Sequence, residues 1–319
     1  MFGLYGESEG SASALCRQGD HRHGRDHLAG EPPLTLSVVR FEFLGTGGAV
    51  TTPRPTCSCH VCAGAREHGI PYSRTGPSLF LHGWNILFDT PEESKAQLVR
   101  AGIDQVDRCF YSHWHPDHVL GRRVFESMNF DFRAWPRAPF GVTDVYLPEQ
   151  VAADFRTRLG SFAHLEFMER ALGVVRVHEL TDGETVNLDG LSVRPLRLEE
   201  RYVYAFELTA GGQRALVVMD ELLGWDPPPD VRGADLAILP MGICELDPRT
   251  GERRIPAEHP ILAVEATYPQ TLEVAARLGA GRTILTHIEE MDGLSHDDLQ
   301  ELGAGTGVEF AWDTLIVEI

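Results

Sequence analysis

The chain has 319 residues, 43% of them hydrophobic, and a formal net charge of -19, a balance that belongs to soluble globular proteins with one large core or two modest ones. No apolar run reaches the roughly 20 residues that span a bilayer, so the composition excludes a membrane-spanning reading. The negative charge works against long nucleic acids, whose binding depends on Lys and Arg displacing counterions. A small substrate carrying one phosphodiester stays compatible if metal ions supply local positive charge.

Residues 1–34 form a biased segment ending in Gly30-Glu31-Pro32-Pro33, without helical or strand period, and are expected to be a disordered extension. They lack a charged-then-apolar signal pattern, so a cytoplasmic location is expected, and the histidines at 21, 23 and 27 read as a solvated tail. Strands are predicted over 38–44, 78–81, 86–89, 108–112 and 142–147, then over 175–180, 191–198, 202–208, 215–220, 236–239, 283–287 and 315–319. Hairpin turns are expected at Asn187-Leu188-Asp189-Gly190 and Ala210-Gly211-Gly212-Gln213. Helical patterns lie at 91–101, 118–128, 149–159, 269–278 and 295–302, the last opened by a Ser295/Asp298 capping pair. Many hairpins interspersed with helices indicate an α/β protein in which two mixed sheets are sandwiched between helices.

Two stretches carry chemistry. Of six cysteines, Cys57, Cys59 and Cys62 stand too close for ordinary mutual disulfides; three thiols at that spacing suit a metal in a reducing compartment. Ser112-His113-Trp114-His115-Pro116-Asp117-His118 places three histidines and an aspartate between an apolar strand and a helix. On such a turn His113 and His115 can converge on one ion while Asp117 and His118 reach a second. Imidazole and carboxylate suit zinc, manganese or iron, and a pair of such ions about 3.5 to 4 Å apart performs hydrolysis. The alternative, a solvated loop in which Pro116 and Asp117 only make the turn, leaves four ligand-type side chains on one short loop unexplained.

The His113-x-His115-x-Asp117-His118 pattern resembles the signature of the metallo-β-lactamase superfamily. Phe43-Leu44-Gly45-Thr46-Gly47-Gly48 looks like that family's opening strand and glycine turn, and Ile86-Leu87-Phe88-Asp89 like the strand whose aspartate steadies the metal loop. Val217-Val218-Met219-Asp220 looks like the strand ending in the bridging aspartate, and Ile284-Leu285-Thr286-His287 like that ending in the last metal histidine. The resemblance implies a four-layer αββα sandwich over 35–319, two active-site divalent ions (manganese, zinc or iron) and a homodimer. The Cys57-x-Cys59-x-x-Cys62 insertion, at about 54–72, resembles that of the phosphoribosyl cyclic phosphate phosphodiesterases and of the PqqB-like branch. It implies one structural zinc. Closing that site takes a fourth ligand, expected at Glu290, where the family has histidine, with His60 and His68 as fallbacks.

Glutamates also stand where the family has two further histidines. One of these should complete the first ion's shell near Glu199 and Glu200; the other, near Glu265, assists the leaving group. Exchanging imidazoles for carboxylates would harden the site toward manganese, iron or magnesium, and His259 is a second replacement candidate. The resemblance then implies that His113, His115 and Glu200 (or Glu199) bind one ion, Asp117, His118 and His287 the other, and Asp220 bridges. Asp117, Glu265 and His259 make up the catalytic set. The expected activity is hydrolysis of a small, possibly cyclic phosphodiester, with another ester, lactone or thioester, or a silent accessory metal-binding role, as alternatives.

Overall fold

Two seven-stranded mixed sheets form the centre of the computed structural model, which describes residues 38–131, 133 and 140–319. The extension expected over 1–34 lies outside the described residues. The first sheet runs β14 (Ile316–Glu318), β1 (Arg40–Gly45), β2 (Ser78–Leu81), β3 (Ile86–Phe88), β4 (Arg108–Phe110), β5 (Thr143–Pro148), β6 (Val175–Leu180). The second runs β13 (Glu309–Phe310), β12 (Arg282–Thr286), β11 (Leu236–Pro240), β10 (Gln213–Val218), β9 (Tyr204–Ala210), β8 (Leu191–Arg197), β7 (Val186–Leu188). In each sheet one half is antiparallel and the other parallel: β3 to β6 in the first, β10 to β13 in the second.

Strand alternation assigns the layers. On β9, Tyr204, Phe206 and Leu208 face the first sheet, where the Phe206 ring meets Phe88 and Phe110 at 5.4 and 5.5 Å. Ala205 faces the other way, into a second core with Leu216, Ala237 and Leu285. That outer core is closed by α7 (Tyr268–Leu278) and α8 (His296–Thr306), through Val274, Leu278 and Leu299. The first sheet is covered in turn by α2 (Ser94–Ala101) and α5 (Glu149–Thr157), through Leu98, Val151 and Phe155. The result is the expected helix-sheet-sheet-helix sandwich.

The remaining helices are α1 (His60–His68), α3 (Pro116–Val119), α4 (Val124–Asn129) and α6 (Ser161–Glu166). Both hairpin turns form at the expected places, with positive φ at Asp189 and Gly190 and at Gly211 and Gly212, the backbone a two-residue hairpin demands. Ser295 and Asp298 cap α8 as the sequence suggests.

Two expectations change. The helix expected over 118–128 is broken into α3, a 3-10 turn at Leu120–Arg123, and α4. At the break the Gly121 backbone docks on the loop after β3: its N–H donates to Thr90 O at 2.8 Å, and a Cβ at Gly121 would lie 1.8 Å from Pro91 O. Also, α1, α6, β7 and β13 are present where no element was predicted, because their sequences are short, polar or glycine-containing. Among the described residues no helix is long and apolar enough to cross a membrane.

Candidate metal centres

The candidate site is assembled at strand carboxyl ends, the usual place for ligands in sheets of parallel strands. From β3 comes Asp89, from β4 the loop 111–118, from β10 Asp220 and from β12 His287. The loop is tied across to the second sheet by the Tyr204 N–H, which donates to Ser112 O at 3.0 Å. Asp89, Glu221 and His287 all adopt left-handed φ, at 59, 50 and 53°. For non-glycine residues this backbone is uncommon, and it tends to cluster at functional sites.

Asp89 is wholly buried and acts as the keystone its position suggested. Its Oδ1 accepts the Ser112 N–H at 2.8 Å, and its Oδ2 accepts the Ser112 hydroxyl at 2.6 Å and His118 Nδ1 at 2.8 Å. The last bond fixes the His118 tautomer, leaving Nε2 as a lone pair directed at the cluster. Ser112 Oγ engages His113 Nδ1 at 3.0 Å, which likewise turns His113 Nε2 inward.

Six side chains converge. His113 Nε2 lies 3.4 Å from Asp220 Oδ2, and His118 Nε2 lies 3.4 Å from Asp117 Oδ2, 3.8 Å from Asp220 Oδ2 and 3.3 Å from His287 Nε2. His287 Nε2 is 3.6 Å from Asp117 Oδ2 and 3.5 Å from Asp220 Oδ1, and His115 Nδ1 is 3.9 Å from Asp220 Oδ2. Two overlapping groups result, His113-His118-Asp220 and Asp117-His118-His287.

These residues fit divalent cations on the structure's own terms. His113 Nε2 is buried with no hydrogen-bond partner, a costly state unless a cation accepts its lone pair. Burial holds His113 down at about 4, helped by His118. For His287 burial acts in the same direction but is outweighed by the Asp220 and Asp117 carboxylates, which raise it to about 10. Burial would raise Asp117 and Asp220, yet His118 and His287 hold Asp117 low, and His287, His113 and His115 hold Asp220 low. Two carboxylates held low thus face His118 and His287, the two imidazoles whose pKa values are raised.

A second centre lies beside it. Cys57, Cys59 and Cys62 Sγ stand 3.4, 3.0 and 3.0 Å from a single oxygen, Glu290 Oε1. Backbone N–H groups of Cys59, Cys62 and Arg54 donate to the sulfurs of Cys57, Cys59 and Cys62, at 3.5, 3.4 and 3.3 Å. Such N–H···S bonds favour the thiolate. Burial and the Glu290 contact nevertheless push Cys62 up to about 12, so holding Cys62 as a thiolate takes a cation. Three sulfurs and one oxygen are the donor number of a closed tetrahedral site. Glu290, the residue expected to close the site, is grouped with the three thiols; the fallbacks His60 and His68 are exposed on α1, outside the group.

Three expected site residues are placed differently from the shared cluster. Glu200 lies in the turn after β8, half-buried and in neither donor group, and Glu199 packs against Gly224. The carboxylate-rich shell that argued for harder metals is therefore not assembled; the grouped donors are three imidazoles, of His113, His118 and His287, and two aspartates, and His115, expected to share an ion with His113, stands outside both groups with its Nδ1 3.9 Å from Asp220 Oδ2. His259 is exposed, its Nδ1 accepting the Ile261 N–H at 3.1 Å, and it does not line the cavity. Glu265 does.

That cavity, of about 160 Å³, is bounded by His115, Asp117, Asp220 and His287 on one side and by Glu221, Glu265, Val50, Ile243, Ile261 and Met291 elsewhere. Burial first, then Asp220 and Glu221, raise Glu265 to about 9. Glu221 and Glu289 went unnoticed in the sequence. Glu289 accepts the Ala49 and Val50 N–H groups at 2.9 Å each, pinning the glycine turn to the His287 strand end. Consecutive glutamates thus serve opposite sides, Glu289 the cavity and Glu290 the thiols. Tyr202 was also missed: its ring packs 5.4 Å from that of His115 and 6.1 Å from that of His113. No pattern marks any of the three, because each acts through a contact distant in sequence.

A metal-ligand cluster at the strand ends of an αββα sandwich defines a class, the metallo-hydrolase fold. The chain belongs to the beta-lactamase superfamily, whose domain model matches residues 84–288. It is 24% identical over 270 residues to an octanoyltransferase of Porphyromonas gingivalis, covering 83% of this chain and 49% of that protein. It is 28% identical over 168 residues to ribonuclease Z of Myxococcus xanthus, covering 52% of this chain and 46% of the relative. The chain thus spans about half the length of these curated relatives. Ribonuclease Z of Methanothermobacter thermautotrophicus matches at 27% over 287 residues, covering 86% of this chain and 81% of the relative. Among solved structures, a diphosphatase of the PhnP family superposes with TM-score 0.65 at 22% identity, covering 88% of this chain and 97% of the other. Zinc-bound PqqB from Methylobacterium extorquens superposes with TM-score 0.68 at 16% identity, covering 88% and 100%. At these identities the structural likeness shows the fold.

Proposed function

We propose that the protein is a hydrolase of small phosphodiesters working through a dinuclear metal site, with a separate structural zinc at the thiol cluster. The observation that carries this reading is the convergence of His118 and His287 Nε2 with Asp117 and Asp220 oxygens at 3.3 to 3.8 Å, beside the unpartnered Nε2 of His113. His113, His115, His118 and His287 with Asp117 and Asp220 would hold the ions, Asp220 reaching both groups. Bound there, the ions would supply positive charge for a substrate anion and acidify water. Mixed imidazole and carboxylate donors suit zinc, manganese or iron alike.

The chain's own residues supply the rest. Asp89 and Ser112 orient the histidines. Glu265, kept protonated in the metal-free site by burial and by its acidic neighbours, lines the same cavity as the ligands and would hold a proton for the departing alkoxide. The Val50, Ile243 and Ile261 side chains narrow the cavity around a small molecule.

A small substrate is favoured over RNA, although several relatives are ribonucleases Z, because the net charge is -19 and, among the described residues, the lining contains no Lys or Arg. The test is turnover of bis(p-nitrophenyl) phosphate, a lactone panel and a precursor tRNA by protein loaded with zinc or manganese. Diester turnover abolished in His115→Ala is the expected result. Hydrolysis of lactones alone, or of the tRNA alone, overturns the reading, and unchanged metal content in His115→Ala with no turnover of any substrate favours a silent accessory role.

A further inference from the structure

The cavity beside the metal ligands offers a bound molecule little to hydrogen-bond. Apart from the metal cluster its polar side chains are three glutamates, Glu221, Glu265 and Glu289, and among the described residues none of the lining is Lys, Arg, Ser, Thr, Asn, Gln or Tyr. The glutamates are tied up within the protein. Glu289 accepts the Ala49 and Val50 N–H groups at 2.9 Å each, Glu221 accepts those of Leu223 and Ala266, and Glu221 and Glu265 share a hydrogen bond. Further main-chain donors of the lining are committed as well: Ile243 N–H to Ala266 O at 2.9 Å, Ile261 N–H to His259 Nδ1 at 3.1 Å and Glu221 N–H to Asp220 Oδ1 at 2.8 Å.

The rest of the wall is apolar. Val50, Leu222, Ile243, Ile261, Ala266 and Met291 supply it; Leu222, Ile243 and Ala266 are buried, whereas Met291 is 55% exposed and so stands where the cavity meets solvent. The volume of about 160 Å³ is close to that of an apolar protein cavity that takes up one benzene ring, which leaves room for one short arm. An uncharged oxygen or nitrogen acceptor carried into this space leaves water without finding a donor, which is disfavoured, while a methylene in the same place is favoured. A ribose or a base would bring several such acceptors.

We propose that the protein selects phosphodiesters whose non-reacting arm is apolar, a short alkyl chain or a single ring without hydrogen-bonding atoms, and turns away sugar and nucleoside arms. This rests on the reading of the neighbouring cluster as a diester-hydrolysing centre.

The test compares two symmetric diesters, dibutyl phosphate and bis(2-methoxyethyl) phosphate. They differ only by an ether oxygen in place of one methylene in each arm, so the comparison holds whichever arm enters the cavity. Calorimetry with metal-loaded protein is expected to give at least ~10-fold tighter binding of dibutyl phosphate. Val50→Thr keeps the side chain's shape but adds a hydroxyl donor to the wall, and with metal content intact it should compress that ratio severalfold. Equal affinities in the wild type, no binding of either diester, or an undiminished ratio in a metal-replete Val50→Thr overturn the proposal. The wild-type ratio is decisive whether or not the variant folds. Turnover of bis(p-nitrophenyl) phosphate reports separately on the underlying reading: turnover with equal affinities keeps the diesterase and sinks the selection, and selective binding without turnover does the reverse.

Discussion

Asp89 Oδ2 accepts the Nδ1 hydrogen of His118 at 2.8 Å with neither side chain exposed to solvent. The same carboxylate holds the backbone and hydroxyl of Ser112, so one residue at the end of β3 sets the entire loop after β4. Asp89→Asn puts an amide donor where the pocket already supplies donors and weakens the tautomer bias on His118. Loss of a partner of this kind costs about 10- to 100-fold in metal affinity. Metal titration of the chelated protein should show that drop, with a lower thermal midpoint; an unaltered affinity would assign Asp89 to folding alone.

The thiol centre gives a cleaner separation of roles, because Glu290 and His287 stand three residues apart but serve different clusters. Cys59→Ser and Glu290→Ala should each lose one metal ion per chain and lower the melting temperature, without removing the ions at His113 to His118. Glu290→His substitutes another zinc ligand at the closing position and should keep that ion. Inductively coupled plasma analysis of purified proteins decides it: retention of full metal content in Cys59→Ser would mean the thiols are only a buried cluster.

Gly121 can be tested directly as the reason the helix after the metal loop is broken. Its missing Cβ allows the Pro91 carbonyl to approach, and that contact is backbone, which does not yield cheaply. Gly121→Ala should cost about 1–3 kcal/mol, the range for overpacking, and displace the loop carrying His118 relative to Asp89. Denaturant unfolding measures the first effect and metal affinity the second.

How much of this was legible follows from how local each signal is. His113 to His118 declare themselves within seven residues, and Asp220 and His287 end apolar strands, so the candidate donor set is readable from short words in the text. The two hairpins are readable for the same reason, since positive φ at Asp189-Gly190 has a sequence signature. Glu200 misled because alignment to a missing histidine specifies a position along the chain, whereas the turn after β8 carries its side chain outside both donor groups. Glu221 and Tyr202 were invisible because their roles depend on contacts to Ala266 and His115, made only once the sheets pack. The left-handed backbone at Asp89, Glu221 and His287 has no sequence mark at all.

Glu265 provides a pH test whose sign is fixed by its environment. Burial and the Asp220 and Glu221 charges raise it to about 9 in the metal-free fold, against an ordinary glutamate near 4.3. Because the folded value lies above the unfolded one, the folded state binds the extra proton between them. Its contribution is therefore fully present below about pH 4.3 and is lost as pH rises through about 9. Glutamine mimics the protonated acid without titrating, so metal-free Glu265→Gln should match the wild type near pH 5 and melt progressively higher than it toward pH 9. A gain of about 2–4 °C is expected for each kcal/mol recovered. Cations at Asp220 offset one of the charges responsible, so the gap should narrow on metal loading. A gap that is constant with pH, or that widens with metal, would show that Glu265 does not carry the buried charge.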